Sequence, residues 1–539
     1  MTPPETTSFL NILLAGQQAP PEMLDDLISI QVEQSLNQPA MFRIRLYDPG
    51  NRWSDADAVC PKTEIEIVSH CGSENKSLVV GQISALDAEF TSRMPVLTIQ
   101  GYDHSYKLYR NRSSRTFIQT TDSEMVEKIA RESGLVPDVD NTLEIYEQVT
   151  QCNQTNIVFL RERARRIGYR IYVSGKELCF KKPDQGDGEK ALTLKLGESL
   201  SAFYPRLSAA EQVNKVVVRA WDPNTKQPII GKAAESKNIS GAGDVENGGE
   251  QAANIWGEAV CVVVDSHANS QTDADDQAQA LLDKISGGYI VARGNCAGHP
   301  DLQAGLPVVI NGAGKRFSGS YLITACTHSY SSTGGYQVGF TTGEPETAGI
   351  LPLMSNAEKS REQHINPAIG VVTNNHDPKN LGRVKVRFPW LSDEVESDWA
   401  RLAVPGGGAN RGQLFLPEIG DEVIMAFGHG NIDQPYVLGG VWNGQDAPPE
   451  TNANLVDGSG NVIQRLIKSR TGHTIIMNDG EDNPGITITD KTGKNCIAFD
   501  TNNNAVKITA ANKVELQGQY IDIKGDVEVK INGKAIYLN

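Results

Sequence analysis

Apolar and polar residues alternate in short runs along most of this 539-residue chain. In Val384–Phe388, three apolar side chains are separated by Lys385 and Arg387. Successive side chains of a strand point to opposite faces, so a period of two predicts β-strands with one buried face. Similar runs are Leu27–Val32, Met41–Tyr47, Thr63–Val68, Val96–Gln100, Val213–Trp221, Leu306–Ile310, Leu414–Leu416 and Val423–Phe427. Turn residues separate these runs, which predicts a mainly β, multidomain fold.

Three segments depart from this pattern and show helical spacing. Thr121 and Glu124 have the spacing of a capping box, which predicts a helix that starts there. Apolar residues fall on one face of Thr155–Ile167, and Thr272–Ile285 is acidic at its start, as the helix dipole favours. By contrast, Gly231–Gln251 is rich in Gly, Ser, Asn and charged residues, which predicts a surface loop.

The composition excludes several classes of protein. A formal net charge of −16 argues against a chain built around nucleic acid. No run of eighteen apolar residues is present, so we expect no membrane-spanning helix. The first residues, MTPPETTSFLNILL, carry Glu and Pro where a secretory signal carries Lys or Arg. We therefore expect a protein made in the cytoplasm without a signal peptide.

The sequence predicts no metal, cofactor or catalytic residue. The eight cysteines form no C-x-x-C pair and do not cluster with His, so we expect buried, reduced thiols. Asp103 and His104 are adjacent on a predicted strand and point to opposite faces, so they make a poor catalytic pair. We interpret the basic run Arg161–Arg166 as a solvated or interface-facing stripe rather than a phosphate site.

The C-terminal residues show a shorter repeat of paired apolar positions. Gly518, Gly525 and Gly533 each follow an apolar residue by two positions. Strands this short in one chain would leave their apolar face uncovered, whereas three chains wound about one axis would bury it. An ordinary β-solenoid in a monomer is the alternative. The pairs are Ile486/Ile488, Ile497/Phe499, Val506/Ile508, Val514/Leu516, Ile521/Ile523, Val527/Val529 and Ile536/Leu538.

Four linked motifs give the chain a family resemblance. GRVKVRF at Gly382, WARLAVP at Trp399, FLPEIGDEVI at Phe415 and DQPYVLGGVWN at Asp433 together resemble the OB domain of the VgrG family. These are spike proteins of type VI secretion systems, contractile phage tails and extracellular injection particles. The N-terminal part is similar to the hub of the same family at Phe42–Asp48, Phe159–Tyr172 and Pro300–Gly305.

The resemblance implies an architecture of five parts. Residues 1–345 would form a hub of two β-barrel-like units with a few helices, and 346–366 a linker. Residues 367–444 would form an OB-fold barrel of five strands, and 445–460 a connector. Residues 461–539 would form a needle, a triangular β-helix shared by three chains.

The same resemblance assigns roles to residues of the needle. The trimer core would contain Ile486, Ile488, Ile497, Phe499, Val506, Ile508, Val514, Leu516, Ile521, Ile523 and Ile531. The backbone would turn between faces at Gly518, Gly525 and Gly533. A separate PAAR-like cap protein would dock on Ile536, Tyr537, Leu538 and Asn539.

The implied function is mechanical, with no enzymatic activity. A homotrimer would link a hexameric inner tube to a needle that transiently pierces a target membrane. Its partners would be the tube, baseplate proteins and the cap, but no nucleic acid. The protein would be part of an assembled phage-tail-like particle, most like the extracellular ones, that acts outside the cell or in a target.

Two alternatives come from other functional classes. A spike with enzymatic effector activity would carry a catalytic domain, and we see no space for one beside the needle. An OB-fold nucleic-acid-binding protein would use Arg383, Lys385, Arg387, Phe388 and Trp390 as a basic, aromatic face. The acidic composition argues against this second alternative.

Overall fold

The structure is a computed structural model that describes residues 9–36, 38–71, 74–91, 93–183, 191–222, 225–237, 241–242, 247–264, 268–343 and 366–537. The chain divides into two compact units, Met1–Gly440 and Val441–Asn539, which are presented separately below. The predicted linker 346–366 lies outside the described residues except for its last position. The prediction of a mainly β fold is confirmed.

The first part of the larger unit is an antiparallel sheet. Its strands lie in the order β3-β4-β7-β6-β5-β1-β2. The predicted alternation is confirmed in β4, where Phe42, Ile44 and Leu46 are buried and Arg43 and Arg45 are partly exposed. The elements are β1 Phe9–Leu14, β2 Gln17–Gln18, α1 Pro21–Asp25, β3 Leu27–Ser35, β4 Gln38–Tyr47, β5 Glu64–Cys71, β6 Glu74–Glu89 and β7 Val96–Asp103.

A smaller α/β region follows the first sheet. Its second helix begins at the predicted capping box, because the Thr121 side chain accepts from the Glu124 N–H and Glu124 accepts from the Thr121 N–H. Helix α4 confirms the helix predicted for Thr155–Ile167. The elements are α2 Lys107–Arg110, β8 Arg112–Thr120, α3 Asp122–Glu132, β9 Val136–Val139, β10 Tyr146–Thr155, α4 Asn156–Arg166, β11 Arg170–Ser174 and β12 Glu177–Lys181.

The chain then builds a second set of sheet strands with one long helix. That helix, α6, confirms the prediction for Thr272–Ile285. The surface loop predicted for Gly231–Gln251 is wrong at both ends. Its first residues belong to the strand Gln227–Ala233, and its last residues belong to the helix Gly248–Trp256. The elements are β13 Leu192–Lys195, β14 Leu200–Leu207, β15 Lys215–Asp222, β16 Gln227–Ala233, β17 Gly241–Ala242, α5 Gly248–Trp256, β18 Val260–Val263, α6 Gln271–Gly287, β19 Ile290–Ala297, β20 Pro307–Asn311, α7 Gly314–Phe317, β21 Gly319–Ser331 and β22 Gly335–Thr342.

The two sets of strands are joined edge to edge. Strand β21 pairs antiparallel with β3, from Ala325 opposite Ser35 to Ser331 opposite Ser29. Among the described residues this pairing joins β1–β7 to β13, β14, β17 and β19–β22 in one fourteen-stranded sheet, whereas β15, β16 and β18 form a separate sheet of three strands. One hydrophobic cluster draws residues from both sets, so they share a core.

Each set of strands contains a glycine that lies against a phenylalanine ring. A Cβ at Gly101 in β7 would lie 2.2 Å from both the Gln82 carbonyl oxygen and the Phe42 ring. A Cβ at Gly294 in β19 would lie 2.3 Å from the Phe340 ring. Only a residue without a side chain allows this close packing.

The last domain of the larger unit is a five-stranded sheet in the order β24-β23-β26-β27-β25. Its core contains Val384, Val386 and Phe388, as the alternation predicted. The strand predicted at Leu414–Leu416 is wrong, because this segment has no partner strand among the described residues and its side chains are exposed. The strands are β23 Ala368–Asn374, β24 Lys385–Arg387, β25 Arg401–Leu402, β26 Glu422–Phe427 and β27 Pro435–Gly440.

The C-terminal unit contains a short helix and an antiparallel sheet whose five strands follow one another in chain order. Residues 510–537 contain no strand. The elements are α8 Asn452–Leu455, β28 Gln464–Lys468, β29 Thr474–Asn478, β30 Gly485–Thr489, β31 Cys496–Asp500 and β32 Ala505–Thr509. None of the described helices combines the length and the apolar character that crossing a membrane requires.

The close packing at Gly101 generates a stability prediction. We expect Gly101→Ala to destabilise the protein by about 1–3 kcal/mol, because the new methyl group must displace the Gln82 backbone and the Phe42 ring. Thermal unfolding followed by circular dichroism measures the effect. The matched control is Gly439→Ala in β27, where a Cβ meets no atom within 4 Å. An equal shift for both variants would contradict the packing at Gly101.

Candidate oligomerisation site

The C-terminal sheet carries a continuous apolar face. In the strand register, Ile488 lies opposite Ile475 on one side and opposite Ile497 on the other. Cross-strand neighbours on one face are in contact, so the apolar residues form two columns across the sheet. The first column is Ile467, Ile475, Ile488, Ile497 and Ile508, and the second is Met477, Ile486, Phe499 and Val506. We call these nine residues the apolar ladder.

The apolar ladder is exposed along its whole length. The exposed fraction of its side chains runs from 38% at Ile475 to 62% at Val506. On the opposite face the central residues of the first four strands are partly buried, and they include Leu466 and Ile476. Exposed contiguous apolar patches of this kind mark interaction surfaces in soluble proteins.

Side-chain hydrogen bonds fix the turns between these strands. Asp490 accepts from the Thr492 side chain at 2.8 Å and from the Asn495 side chain at 2.7 Å. Asp500 accepts from the Asn503 side chain at 2.9 Å. These bonds lower the pKa of each aspartate to about 2. Both carboxylates are therefore charged at neutral pH and hold the hairpins in register.

Gly485 was missed by the sequence analysis. It begins β30, where a Cβ would lie 1.9 Å from the carbonyl oxygen of Phe499 on the neighbouring strand. The strands can therefore approach this closely only with glycine at this position. A glycine just before an alternating Ile-Thr-Ile run was the available signal.

The structure brings together only part of the predicted needle core. Six of the eleven residues, from Ile486 to Ile508, belong to the apolar ladder. The other five, Val514, Leu516, Ile521, Ile523 and Ile531, are 51–64% exposed in the segment without strands. Their burial in a trimer remains a prediction.

The three predicted turn glycines lie beside bends of the backbone. Bends occur at Gln519, Asp526–Val527 and Lys534, each directly after one of these glycines. A Cβ at Gly525 would lie 2.5 Å from the Glu528 carbonyl oxygen, so close backbone approach favours glycine there. Of the four predicted cap-docking residues, Ile536 and Tyr537 are 52% and 90% exposed, whereas Leu538 and Asn539 lie outside the described residues.

Three of the five residues of the basic, aromatic face that nucleic-acid binding would use have partners within the fold, whereas Trp390 is 48% exposed. Arg383 forms an ion pair of 2.7 Å with Asp377, and Lys385 lies 3.1 Å from Glu396. Phe388 is buried in the domain core. A strand-binding face needs free cations and exposed rings, so these residues serve the fold instead.

Two cations of the basic run on α4, which we predicted to be a solvated or interface-facing stripe, form internal ion pairs, whereas Arg165 is exposed. Arg163 lies 2.5 Å from Asp122 on α3, and both side chains are buried. Arg166 lies 2.5 Å from Asp273 on α6, whose side chain is fully buried. The carboxylates come from distant positions in the sequence, so local charge pattern alone could not predict them.

Asp103 and His104 also have structural partners. Asp103 accepts from the N–H and the hydroxyl of Ser105 and from the N–H of Ala40. The His104 Nε2 atom lies 3.5 Å from Glu64 Oε2. Burial raises the pKa of Asp103 and lowers that of His104. Within the described part of the chain the two side chains thus support the start of α2.

A buried Cys–His contact escaped the sequence analysis. Cys326 Sγ lies 3.6 Å from His328 Nε2, and His328 Nδ1 lies 2.8 Å from the Tyr336 hydroxyl. Burial raises the pKa of Cys326 to about 12 and lowers that of His328 to about 4. A reactive cysteine requires a thiolate, so this pair is a core contact of the sheet. Across the described ranges, no three or more His, Cys, Asp and Glu side chains are grouped to hold a metal ion.

Comparisons with known proteins agree with this architecture. The family described as "Alg8 N-terminal domain" matches residues 5–332. The family described as "Type VI secretion system/phage-baseplate injector OB domain" matches residues 368–442.

Curated relatives align over the OB domain. The type VI secretion system spike protein VgrG3 of Vibrio cholerae is 39% identical over 74 residues, which is 13% of this chain and 7% of that protein. VgrG1a of Pseudomonas aeruginosa is 42% identical over 78 residues, 14% of this chain and 12% of its own length. The actin cross-linking toxin VgrG1 of Vibrio cholerae is 38% identical over 74 residues, with coverage of 13% and 7%. The alignments thus span only a small part of each relative.

Solved structures extend the likeness to the rest of the chain. A chain of the Francisella PdpA–VgrG complex has a TM-score of 0.54 at 9% identity and covers 94% of this chain and 88% of its own. An E. coli component of the type VI secretion system, described as similar to bacteriophage T4 tail proteins gp27 and gp5, has a TM-score of 0.50 at 17% identity. It covers 80% of this chain and 99% of its own. At these identities the likeness shows the fold.

The match at residues 368–442 identifies a type VI secretion system/phage-baseplate injector OB domain. Over the rest of the chain the fold is similar to the folds of these VgrG and phage-tail-like structures. Because the match at residues 5–332 covers more than half of its length, the chain belongs to the Alg8 N-terminal domain family.

The ion pair between α4 and α6 provides a test of the hub. Burial opposes the ionisation of Asp273, but Arg166 and hydrogen bonds from Asn269 and Gln277 outweigh it and hold its pKa below the ordinary value. We expect Asp273→Asn to cost about 3–5 kcal/mol at neutral pH, because it removes the carboxylate that pairs Arg166. Urea unfolding measures the loss.

The control for this prediction is Asp276→Asn, an exposed position on the same helix. It should change stability by less than about 0.5 kcal/mol. A lowered pKa means that the stabilisation is present above 3.8 and is lost as the pH falls through the folded-state value. If the difference between wild type and Asp273→Asn persisted unchanged well below that pH, the charge would not be its source.

Proposed function

We propose that this protein is the homotrimeric spike at the tip of a contractile injection machine. It links a hexameric inner tube to a needle that pierces a target membrane. The observation that carries the proposal is the apolar ladder, whose nine side chains lie 38–62% exposed on a regular sheet. Burial of apolar surface contributes roughly 25 cal/mol per Å², so a ladder of this length strongly favours association.

A trimer covers the ladder in the simplest way. Three copies of the C-terminal sheet placed about one axis turn their ladders inward and bury them against each other. The same arrangement offers strand partners to residues 510–537, whose backbone forms no strand. Backbone N–H and C=O groups require partners when buried, so interchain pairing suits a continuous needle.

The proposed domain roles follow the sequence. Residues 1–345 form the hub, and 346–366 link it to the OB domain at 367–444. Residues 445–460 connect to the needle at 461–539. In a trimer the two joined sets of hub strands supply six similar units, which suits contact with a hexameric tube.

The proposed role is mechanical, and we assign no catalytic residue or cofactor. The relative described as an actin cross-linking toxin aligns with this chain over 74 residues of the OB region only. That alignment offers no support for transferring its activity to this chain. Baseplate proteins are proposed as further partners, and the protein is proposed to be made in the cytoplasm and assembled into an extracellular, phage-tail-like particle.

The test of trimerisation is a charge placed in the apolar ladder. Ile488→Asp would bring three carboxylates together in an apolar interior, which costs several kcal/mol because each lacks a partner. We expect sedimentation velocity of the full chain to show a trimer for the wild type and a shift towards monomer for the variant.

The matched control is Thr487→Asp, the neighbouring residue on the opposite face of β30. It should remain trimeric, because its side chain points away from the ladder. A wild-type monomer would overturn the proposal, and so would equal dissociation of both variants.

The proposed cap protein has its own test. Ile536 and Tyr537 expose apolar surface that a PAAR-like protein would cover. We expect a candidate cap to co-purify with the full chain and to be lost from a variant that ends at Lys534. Binding of the cap to both forms, or to neither, would contradict docking at this segment.

A further inference from the structure

Strand β10 of the hub contacts the OB domain at several points. The Gln148 side chain donates to the carbonyl oxygen of Glu396 at 2.9 Å. The Thr150 N–H donates to the Asp433 carboxylate at 3.3 Å. Cys152 packs against the hydrophobic core of the OB domain. Alternate residues of β10 thus form a contact surface for the OB domain.

Asp433 is the OB residue whose carboxylate contacts the backbone of this strand. It lies in the turn before β27, where its own N–H donates to the Asn431 side chain at 3.0 Å. One carboxylate oxygen, Oδ2, accepts from Thr150. The other, Oδ1, is shielded from solvent and has no hydrogen-bond partner among the described residues. A shielded carboxylate oxygen without a partner is poorly compensated in the charged form of the group.

The cations of the hub compensate Asp433 only weakly. Arg163 and Arg166 on α4 act on it through their charge, but each lies 2.5 Å from a carboxylate of its own, Asp122 and Asp273. On β10 the nearby titratable group is the Cys152 thiol, whose pKa is raised by burial and by the charge of Asp433.

At the rim of the contact the charges are already paired. Glu147 on β10 lies 3.1 Å from Lys379 of the OB domain. Glu396 lies 3.1 Å from Lys385 within the OB domain. The Asp433 carboxylate, by contrast, forms no ion pair within the described residues.

We propose that Asp433 makes the junction between the hub and the OB domain an acid-strengthened latch, which holds the OB domain on β10 more tightly when its carboxyl group is protonated. The neutral acid removes the uncompensated charge and keeps an oxygen to accept from Thr150. The latch is independent of trimerisation, because both of its sides belong to the same compact unit of one chain.

The direction of the pH dependence follows from proton binding. Burial raises the pKa of Asp433 from its ordinary 3.8 to about 6 when the domain is docked. The docked state then binds a proton more tightly than the undocked state, so docking strengthens as the pH falls through 6 and weakens as it rises. Between pH 7.5 and pH 5.0 these values correspond to about a tenfold change in the docking equilibrium.

Hydrogen–deuterium exchange of the full chain tests the latch. Peptides that cover β10 are followed at pH 7.5 and 5.0, with rates corrected for the intrinsic pH dependence of exchange. In the wild type we expect protection of β10 to be about tenfold higher at the lower pH. Asp433→Asn mimics the neutral acid, so at pH 7.5 it should show at least the wild-type protection of pH 5.0, with no further gain in acid.

The matched control is Asp393→Asn, an exposed aspartate of the same OB domain. It should keep the wild-type pH dependence. Equal corrected protection of wild-type β10 at both pH values would overturn the proposal, as would an unaltered pH dependence in Asp433→Asn. If that variant failed to fold by circular dichroism, the wild-type titration alone would decide, with protection expected to begin rising as the pH falls below about 6.

Discussion

The antiparallel pairing of β3 with β21 is the contact on which the larger unit depends. It joins residues about three hundred positions apart and turns two sets of strands into one sheet with a shared core. Without it, each set would expose an unpaired edge, and exposed edges invite association with other chains. Contacts this distant in sequence carry a large loss of chain entropy, so the shared apolar core must compensate for it.

Buried ion pairs connect helix α4 to two other helices. Helix α4 pairs with Asp122 of its own region and with Asp273 of α6, which belongs to the second set of strands. One helix therefore holds two subregions at a fixed spacing. Buried charges are costly when separated from their partners, which gives these contacts geometric specificity as well as strength.

The C-terminal unit is organised differently, because its best apolar surface is not used within the chain. The hairpins are fixed by Asp490 and Asp500, and the strands keep a regular register. The regular register places the residues of the apolar ladder side by side on one face, where they stay exposed. A sheet built in this way fits the assembly with other copies that we propose.

The sequence by itself determined the elements whose signal is local. The alternation in β4 and β24, the capping box of α3 and the helical spacing of α4 and α6 all act between residues that are close in the chain. The four OB motifs also predicted the OB domain that the family match at residues 368–442 confirms. Only the tertiary structure decided which partners distant residues find. Leu414–Leu416 alternates like a strand but lacks a neighbour, and Arg163 reads as a surface cation but meets Asp122. Strand pairing and ion pairing depend on surfaces brought together by folding, and a pattern read along one segment does not contain that information.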